Sequence, residues 1–481
     1  MSNSFLIILG IITPLFAALF SYICRYNNNL RDSFGIIGGL VTFLISLKIF
    51  HGIQNNEIFQ ITFFTLFDGV DFTFKVSALG SIFSLVASSL WILASIYTIG
   101  YMRGAGEKNQ TRFVIFYSIA IHAALAIAWS GNLLVLFIFY EILTFSTFPL
   151  VGHKQNAESQ SAGRLYLSIL VGTSLIFFLP AIFWIWLETG TLDFQDGGIL
   201  INQFPAEYLS LLIAMLVFGI GKAAIMPIHR WLPAAMVAPT PVSALLHAVA
   251  VVKSGVFILM KIMLYIFGVE VLTDTNANNY IILFASITII VSSIIALNQD
   301  NIKLRLAYST IGQLSYIVLA TAILAPYSIM AATLHLIFHA LGKIILFLSA
   351  GIIATQTGIK EVSEMNNLSR KLPITCFLVL IGAFIMIGLP PTVGFISKWY
   401  LLIGIMESDK LYLLIIIIIS TLLNAGYYFP IIYKSYFEKE SSSGAKEITE
   451  DIPLVFPVMI IGAIVILLFF NISFITTFID G

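Results

Sequence analysis

Apolar residues fall along this chain in long runs parted by short polar stretches. They lie at about 5–23, 34–50, 76–101, 113–129, 132–151, 165–187, 208–228, 241–267, 280–297, 307–325, 328–355, 373–406, 411–433 and 453–475. Most are close to the ~20 residues a helix needs to cross a bilayer. The pattern predicts an all-α polytopic membrane protein with about 14 transmembrane helices. The first run lacks a basic leader and a small-residue cleavage site, so it reads as a retained helix. The run 373–406 is too long for one straight span, and GLPPTVGFISKWY at its centre predicts a break at Pro390–Pro391. The seventh run carries Lys222 late in its length and is then interrupted by Pro227, Pro233, Pro239 and Pro241. Interrupted helices are tolerated in a membrane only where the freed backbone faces protein or a wet cavity.

Basic residues sort by side. Loops after odd-numbered runs hold Arg25 and Arg31, Arg103, Lys108 and Arg112, Lys154 and Arg164, Arg230, Lys303 and Arg305, Lys360, Arg370 and Lys371, and Lys434, Lys439 and Lys446. The opposite side holds Lys48, Lys75, Lys261 and Lys410. By the positive-inside rule both termini lie outside a cell membrane and the odd-numbered loops are cytoplasmic. The seventh and twelfth runs are both broken by prolines, and each has a lysine near its break, Lys222 and Lys398. Being five helices apart, they predict two inverted five-helix repeats, the arrangement whose paired broken helices mark a transport site. One membrane domain, 1–481, would then comprise three N-terminal helices (1–110), a first repeat (111–267), a second repeat (280–433), and a cytoplasmic loop with a last helix (434–481).

Composition narrows the chemistry. Of the 481 residues 59% are hydrophobic and 10% charged, against about 25% charge in soluble domains; mean hydropathy is +1.00. A net charge of zero gives nucleic acid no electrostatic footing. The only two cysteines, Cys24 and Cys376, exclude a multi-thiolate metal centre made by this chain alone. No glycine-rich phosphate loop sits between a strand and a helix. The expectation is a chain without a cofactor, metal or catalytic site of its own, so its partners decide whether it serves a larger enzyme.

The ionisable residues inside the runs are the candidates for function. A charge near mid-membrane costs roughly 2.5–3.5 kcal/mol on insertion scales. Of 24 acidic residues, Glu141 alone sits mid-run; with it stand Lys222, Lys253, Lys343 and Lys398, and His122, His247, His335 and His339. His335, His339 and Lys343 follow at i, i+4 and i+8, a ladder along one helix face on which a proton could step. A static ion pair of Glu141 with Lys222 would leave the other lysines and this ladder unaccounted for. Plainer readings hold elsewhere. His122 suits a helix–helix hydrogen bond, His153 and His229 suit the interface, and Lys48, Lys261 and Lys410 suit snorkelling to the surface. Gly219–Gly221 is a packing signal.

The segments SGNLLVLFIFYEIL, GKAAIMPIHRWLPAAMVAPTPVSALLHAVAVVKSG, NQDNIKLRLAYSTIGQLSY, HLIFHALGKIILFLSAG and GLPPTVGFISKWYLL occur in that order over roughly 110–405. Together they resemble the antiporter-like proton-pumping subunits shared by respiratory complex I and Mrp-type multisubunit sodium/proton antiporters. The resemblance implies fourteen helices with inverted repeats. It makes Glu141 and Lys222 the charged pair of a first half-channel, and Lys253, with His247 nearby, a connecting relay. It places His335, His339 and Lys343 on a central axis and makes Lys398 the terminal site. Length and Lys398 suit the D subunit of an Mrp-type antiporter. That reading implies other membrane subunits as partners, the bilayer as surroundings, and protons and Na+ as cargo. The alternative is a pumping subunit of a redox-driven complex, such as complex I (NADH:quinone oxidoreductase) or a membrane-bound hydrogenase. A third, from another class, is a self-sufficient transporter of an organic solute.

Overall fold

A computed structural model describes residues 2–438 and 449–480; Lys439 and Lys446 of the basic loops lie outside them. Six helices come first: α1 Asn3–Ile23, α2 Asn28–Gln54, α3 Ala78–Gly104, α4 Gln110–Trp129, α5 Leu133–Val151 and α6 Ala157–Thr189. A short apolar helix, α7 (Ala206–Gly219), leads to α8 Thr240–Phe267, α9 Asn278–Leu297, α10 Ile302–Ile323 and α11 Pro326–Thr357. The twelfth run is two helices, α12 Pro373–Ile387 and α13 Val393–Glu407. The chain closes with α14 Leu413–Tyr436, α15 Ile452–Phe470 and a short α16, Ser473–Asp480. Among the described residues twelve helices are long and apolar enough to cross a membrane; α7 and α12 are the two shorter apolar ones.

The helices sort by depth. The apolar stretches of α8 and α11 are wholly covered by protein and that of α10 nearly so, whereas α14 leaves two-thirds of its own uncovered. Ile415, Ile418 and Leu422 of α14 are exposed, as suits a face toward lipid. The polar residues of the three central helices therefore sit where hydrocarbon cannot reach them. α11 is the hub, packing on α3, α8, α10, α12, α13 and α15.

Both breaks are built as expected, though the first comes earlier. The apolar run extends to about residue 228, but α7 ends at Gly219 and Lys222 lies on a single 3₁₀ turn, Gly221–Ala223. Ala224 takes a left-handed conformation (φ 55°) and two short turns, Trp231–Ala234 and Ala235–Val237, precede α8. The freed backbone is satisfied by side chains: Trp231 Nε1 donates to the Gly221 carbonyl (3.0 Å), and Thr288 Oγ1 accepts from the Met226 amide (3.1 Å). In the second break α12 stops at Gly388, φ 84°. Gly394 of α13 then packs so closely that a Cβ would lie 1.9 Å from the Ile385 carbonyl oxygen.

A glycine also seats the first break. A Cβ on Gly255 of α8 would lie 2.3 Å from both the Lys222 carbonyl carbon and the Ala223 amide nitrogen. These are backbone atoms and cannot swing aside. Overpacking of this kind costs about 1–3 kcal/mol or more. Gly255→Ala should lower the yield of folded protein and its thermal midpoint, while Gly172→Ala, where no atom lies within 4 Å, leaves both unchanged.

The apolar pattern did not predict a β-hairpin, β1 Gln60–Phe67 and β2 Val70–Lys75, paired antiparallel. Its signal is present in the sequence: alternating Thr and Phe on either side of Asp68–Gly69, with Gly69 at φ 76°, an ordinary hairpin turn pair. The hairpin covers the face where α1, α3 and α5 begin, through Ser4 Oγ to the Gln60 carbonyl (3.1 Å) and Asn132 Nδ2 to the Asp71 carbonyl (2.6 Å).

Candidate functional site

Lys222 is fully buried beside α5. Its Nζ donates to the Tyr140 carbonyl (2.9 Å) and Thr144 Oγ1 (2.5 Å) and lies 3.2 Å from the centre of the Tyr140 ring. Glu141 is the next residue of the same helix, yet no ion pair joins it to Lys222 among the described residues. Both Glu141 carboxylate oxygens are buried without a hydrogen-bond partner. An unpartnered buried carboxylate is costly. The two groups are thus neighbours through one residue of α5 rather than a closed pair.

From the break the chain enters α8, whose backbone widens into a π-helical turn at Leu245–Val249; such turns recur at functional sites. His247 sits on it, its ring 4.5 Å from that of Phe347 and both ring nitrogens without partners. Lys253 follows in regular α-helix and its amine meets His339 Nδ1 on α11. The rings of His339 and His335 lie 6.1 Å apart and nearly parallel, at 20°. His335 reaches Gln313 Oε1 of α10 (3.0 Å) with one nitrogen and Ser397 Oγ of α13 (2.9 Å) with the other. Lys398, beside Ser397, donates to the last carbonyls of α12, Met386 (3.2 Å) and Ile387 (2.7 Å). A cation completing a helix C-terminus fits both the unsatisfied carbonyls and the helix dipole.

Lys253, His339, His335, Ser397 and Lys398 are therefore strung together across α8, α11 and α13. Lys343 departs from the expected ladder. Though one turn from His339, its amine turns to the Leu306 carbonyl (3.1 Å), Ser309 Oγ (2.8 Å) and Tyr428 OH (3.1 Å). It marks a branch between α10 and α14. Sequence reasoning also missed the neutral partners Thr144, Gln313, Ser309 and Tyr428, because hydroxyls and amides are unremarkable in membrane helices; only a glutamine within an apolar run, Gln313, offered a signal.

The plainer readings divide. His122 Nδ1 lies 2.7 Å from the Ile11 carbonyl, a helix–helix contact. His153, just past α5, is buried near Arg112, and burial with that guanidinium lowers its imidazole to about 4. Lys48 is exposed, as a snorkelling lysine should be. Lys261 is not: it is 1% exposed and donates to the Ser130 carbonyl at 2.6 Å. The snorkelling expectation fails there because the 191–200 loop covers the end of α8, the Gln195 and Ile199 amides bonding the Tyr265 and Ile266 carbonyls.

Residues 130–424, which carry Glu141, Lys222, His247, Lys253, His335, His339, Lys343 and Lys398, match the family described as NADH:quinone oxidoreductase/Mrp antiporter, TM. The chain belongs to that family. It is an antiporter-like, multi-pass membrane subunit of the kind found in Mrp and complex I type assemblies. Subunit N of the NADH-quinone oxidoreductase of Desulforudis audaxviator (strain MP104C) is 29% identical over 398 residues, 79% of this chain and 78% of that one. The fold is shared with a chain of the archaeal membrane-bound sulfane sulfur reductase (TM-score 0.87, 22% identity, covering 100% of this chain and 96% of that one). It is shared too with a chain of the Mrp complex from Dietzia sp. DQ12-45-1b (TM-score 0.83, 16% identity, 99% and 96%).

Proposed function

We propose that this family member moves protons or monovalent cations along a buried lateral axis, as one subunit of an Mrp-type Na+/H+ antiporter. The axis runs from Glu141 and Lys222 through His247 and Lys253 to His339, His335 and Lys398, with Lys343 as a branch. One observation carries the reading: the Lys253–His339 contact joins two wholly covered helices and is continued by His335 and Ser397 to Lys398. Buried lysines with so few acids to neutralise them are hard to explain as scaffolding, since each charged form is costly unless a proton or partner comes and goes. A second reading, a pumping subunit of a redox-driven complex, is favoured by the likeness to an NADH-quinone oxidoreductase subunit. The chemistry within this chain is the same for both.

Everted vesicles carrying the complex with its native partners distinguish them. For the antiporter, adding Na+ to vesicles with an imposed pH gradient collapses the gradient without any electron donor. For the redox pump, a gradient forms only while an electron donor is oxidised. Neither response, in vesicles shown to contain the assembled complex, would remove the translocation reading itself.

The proposed orientation has its own expected result. A reporter at Gly106, in the basic loop after α3, reads cytoplasmic, and one at Gly197, beside Asp196, reads external. Opposite signals at both positions would show that the basic-residue rule was misapplied.

A further inference from the structure

Where the axis meets water on the hairpin face is a separate question. A cavity of about 360 Å³ opens there, lined by Lys75, Ser77, Phe194, Asp196, Lys261 and Tyr265. At its floor is the buried amine of Lys261. A lysine ammonium carries three donors, and Lys261 spends one on the Ser130 carbonyl (2.6 Å). Beside the amine lie the cavity, which Lys75 and Asp196 also line, and the rings of Phe194 (4.0 Å) and Phe257 (5.8 Å).

Phe257 is placed between two lysines. It lies four residues after Lys253 and four before Lys261 within one regular helical stretch, Val251–Ile262, hence one turn from each. Its ring is fully buried against that of Phe83 at 5.0 Å. On the Lys253 side of the ring, Ser254 Oγ is buried without a hydrogen-bond partner. The order along α8 is therefore a lysine joined to His339, a hydroxyl with free bonding capacity, a buried aromatic ring, and a lysine that lines a cavity.

We propose that Lys261 is the port through which α8 exchanges protons with the hairpin-face cavity, and that Phe257 is the gate separating this port from Lys253. The inference rests on the proton-translocation reading and adds its exit. When the ring swings aside, water bridges the two amines. The Lys253 ammonium passes one proton through that water to a neutral Lys261 amine, and Lys261 releases a proton to cavity water; only N–H and O–H bonds change. When the ring is in place the pathway is dry, so protons cannot leak past the relay while it is charged from elsewhere.

The test uses the complete complex in sealed vesicles, with Cys24→Ser and Cys376→Ala in the background. A membrane-impermeant thiol reagent added on the hairpin face should modify Lys261→Cys and leave Ser254→Cys unmodified. Adding Phe257→Ala, or Phe257→Leu where the alanine variant does not assemble, should speed modification of Ser254→Cys about tenfold or more. In the native-cysteine complex Phe257→Ala should raise the passive proton leak several-fold, and Lys261→Met should return that leak to the parent level. The inference is overturned if Lys261→Cys is modified only from the opposite face. It is also overturned if Ser254→Cys is indifferent to residue 257, or if the leak persists with Lys261→Met. Labelling needs no transport. A parent complex that moves no protons overturns the translocation reading, whereas the labelling pattern decides the gate by itself.

Discussion

Lys253→Met should all but stop proton movement by the assembled complex, and His339→Leu should come close to it. Among the described residues Lys253 is the α8 side chain that hydrogen-bonds the stacked histidines of α11, through His339 Nδ1. Met keeps most of the length and apolar volume of the lysine stem, so packing at this covered position survives while the exchangeable proton is lost. A positioned proton donor or acceptor contributes about 10²–10⁴-fold to proton transfer, and flux should fall on that scale. His335 still reaches Gln313 and Ser397 when the His339 ring is lost, so His339→Leu should be slightly less severe. A double variant should be no worse than Lys253→Met, because two groups on one path do not add. The measurement is the initial rate of pH-gradient formation or collapse, normalised to assembled complex. Additive losses would place the two residues on separate routes and break the proposed axis.

Much of the architecture was legible because hydrocarbon enforces it: each apolar run near twenty residues contains a helix, and prolines with glycine nearby mark each break, Pro227 and Pro233 at the first and Pro390–Pro391 at the second. The end of α7 was not legible. Residues 220–228 stay apolar apart from Lys222 while the backbone leaves the helix, and apolarity reports burial rather than hydrogen bonding. The hairpin was hidden for a related reason, since its Phe-rich strands blend into their hydrophobic surroundings and only Asp68–Gly69 betrays the turn. The candidate ionisable residues were legible because charge inside an apolar run is rare. Their pairing was not. Lys253 and His339 are 86 residues apart in sequence, and a helical spacing that puts Lys343 on the face of His339 does not tell which way a four-carbon stem turns. Lys261 shows the limit most plainly: a lysine near a helix end reads as surface-seeking until the loop that covers it is seen.

Lys343→Arg should stop transport nearly as completely as Lys343→Met, and this comparison separates a working branch from a structural post. Lys343 is fully buried and holds the Leu306 carbonyl, Ser309 Oγ and Tyr428 OH at 3.1, 2.8 and 3.1 Å. Tyr427 OH also donates to Ser309 (3.0 Å), so the amine completes a network linking α10, α11 and α14. If its role is only to tie these helices together, arginine, with five donors, can satisfy the same acceptors and transport continues. If its role is to take up and release a proton, arginine fails, because a guanidinium stays protonated in proteins. Methionine serves as the control for lost hydrogen bonds: it should lower thermal stability by about 1–3 kcal/mol, the range for leaving buried acceptors unsatisfied, whereas arginine should restore much of that stability without restoring flux. Stability and flux measured on the same preparations therefore move together for a post and apart for a relay. A Lys343→Arg complex that assembles and transports like the parent ends the case for a proton on Lys343.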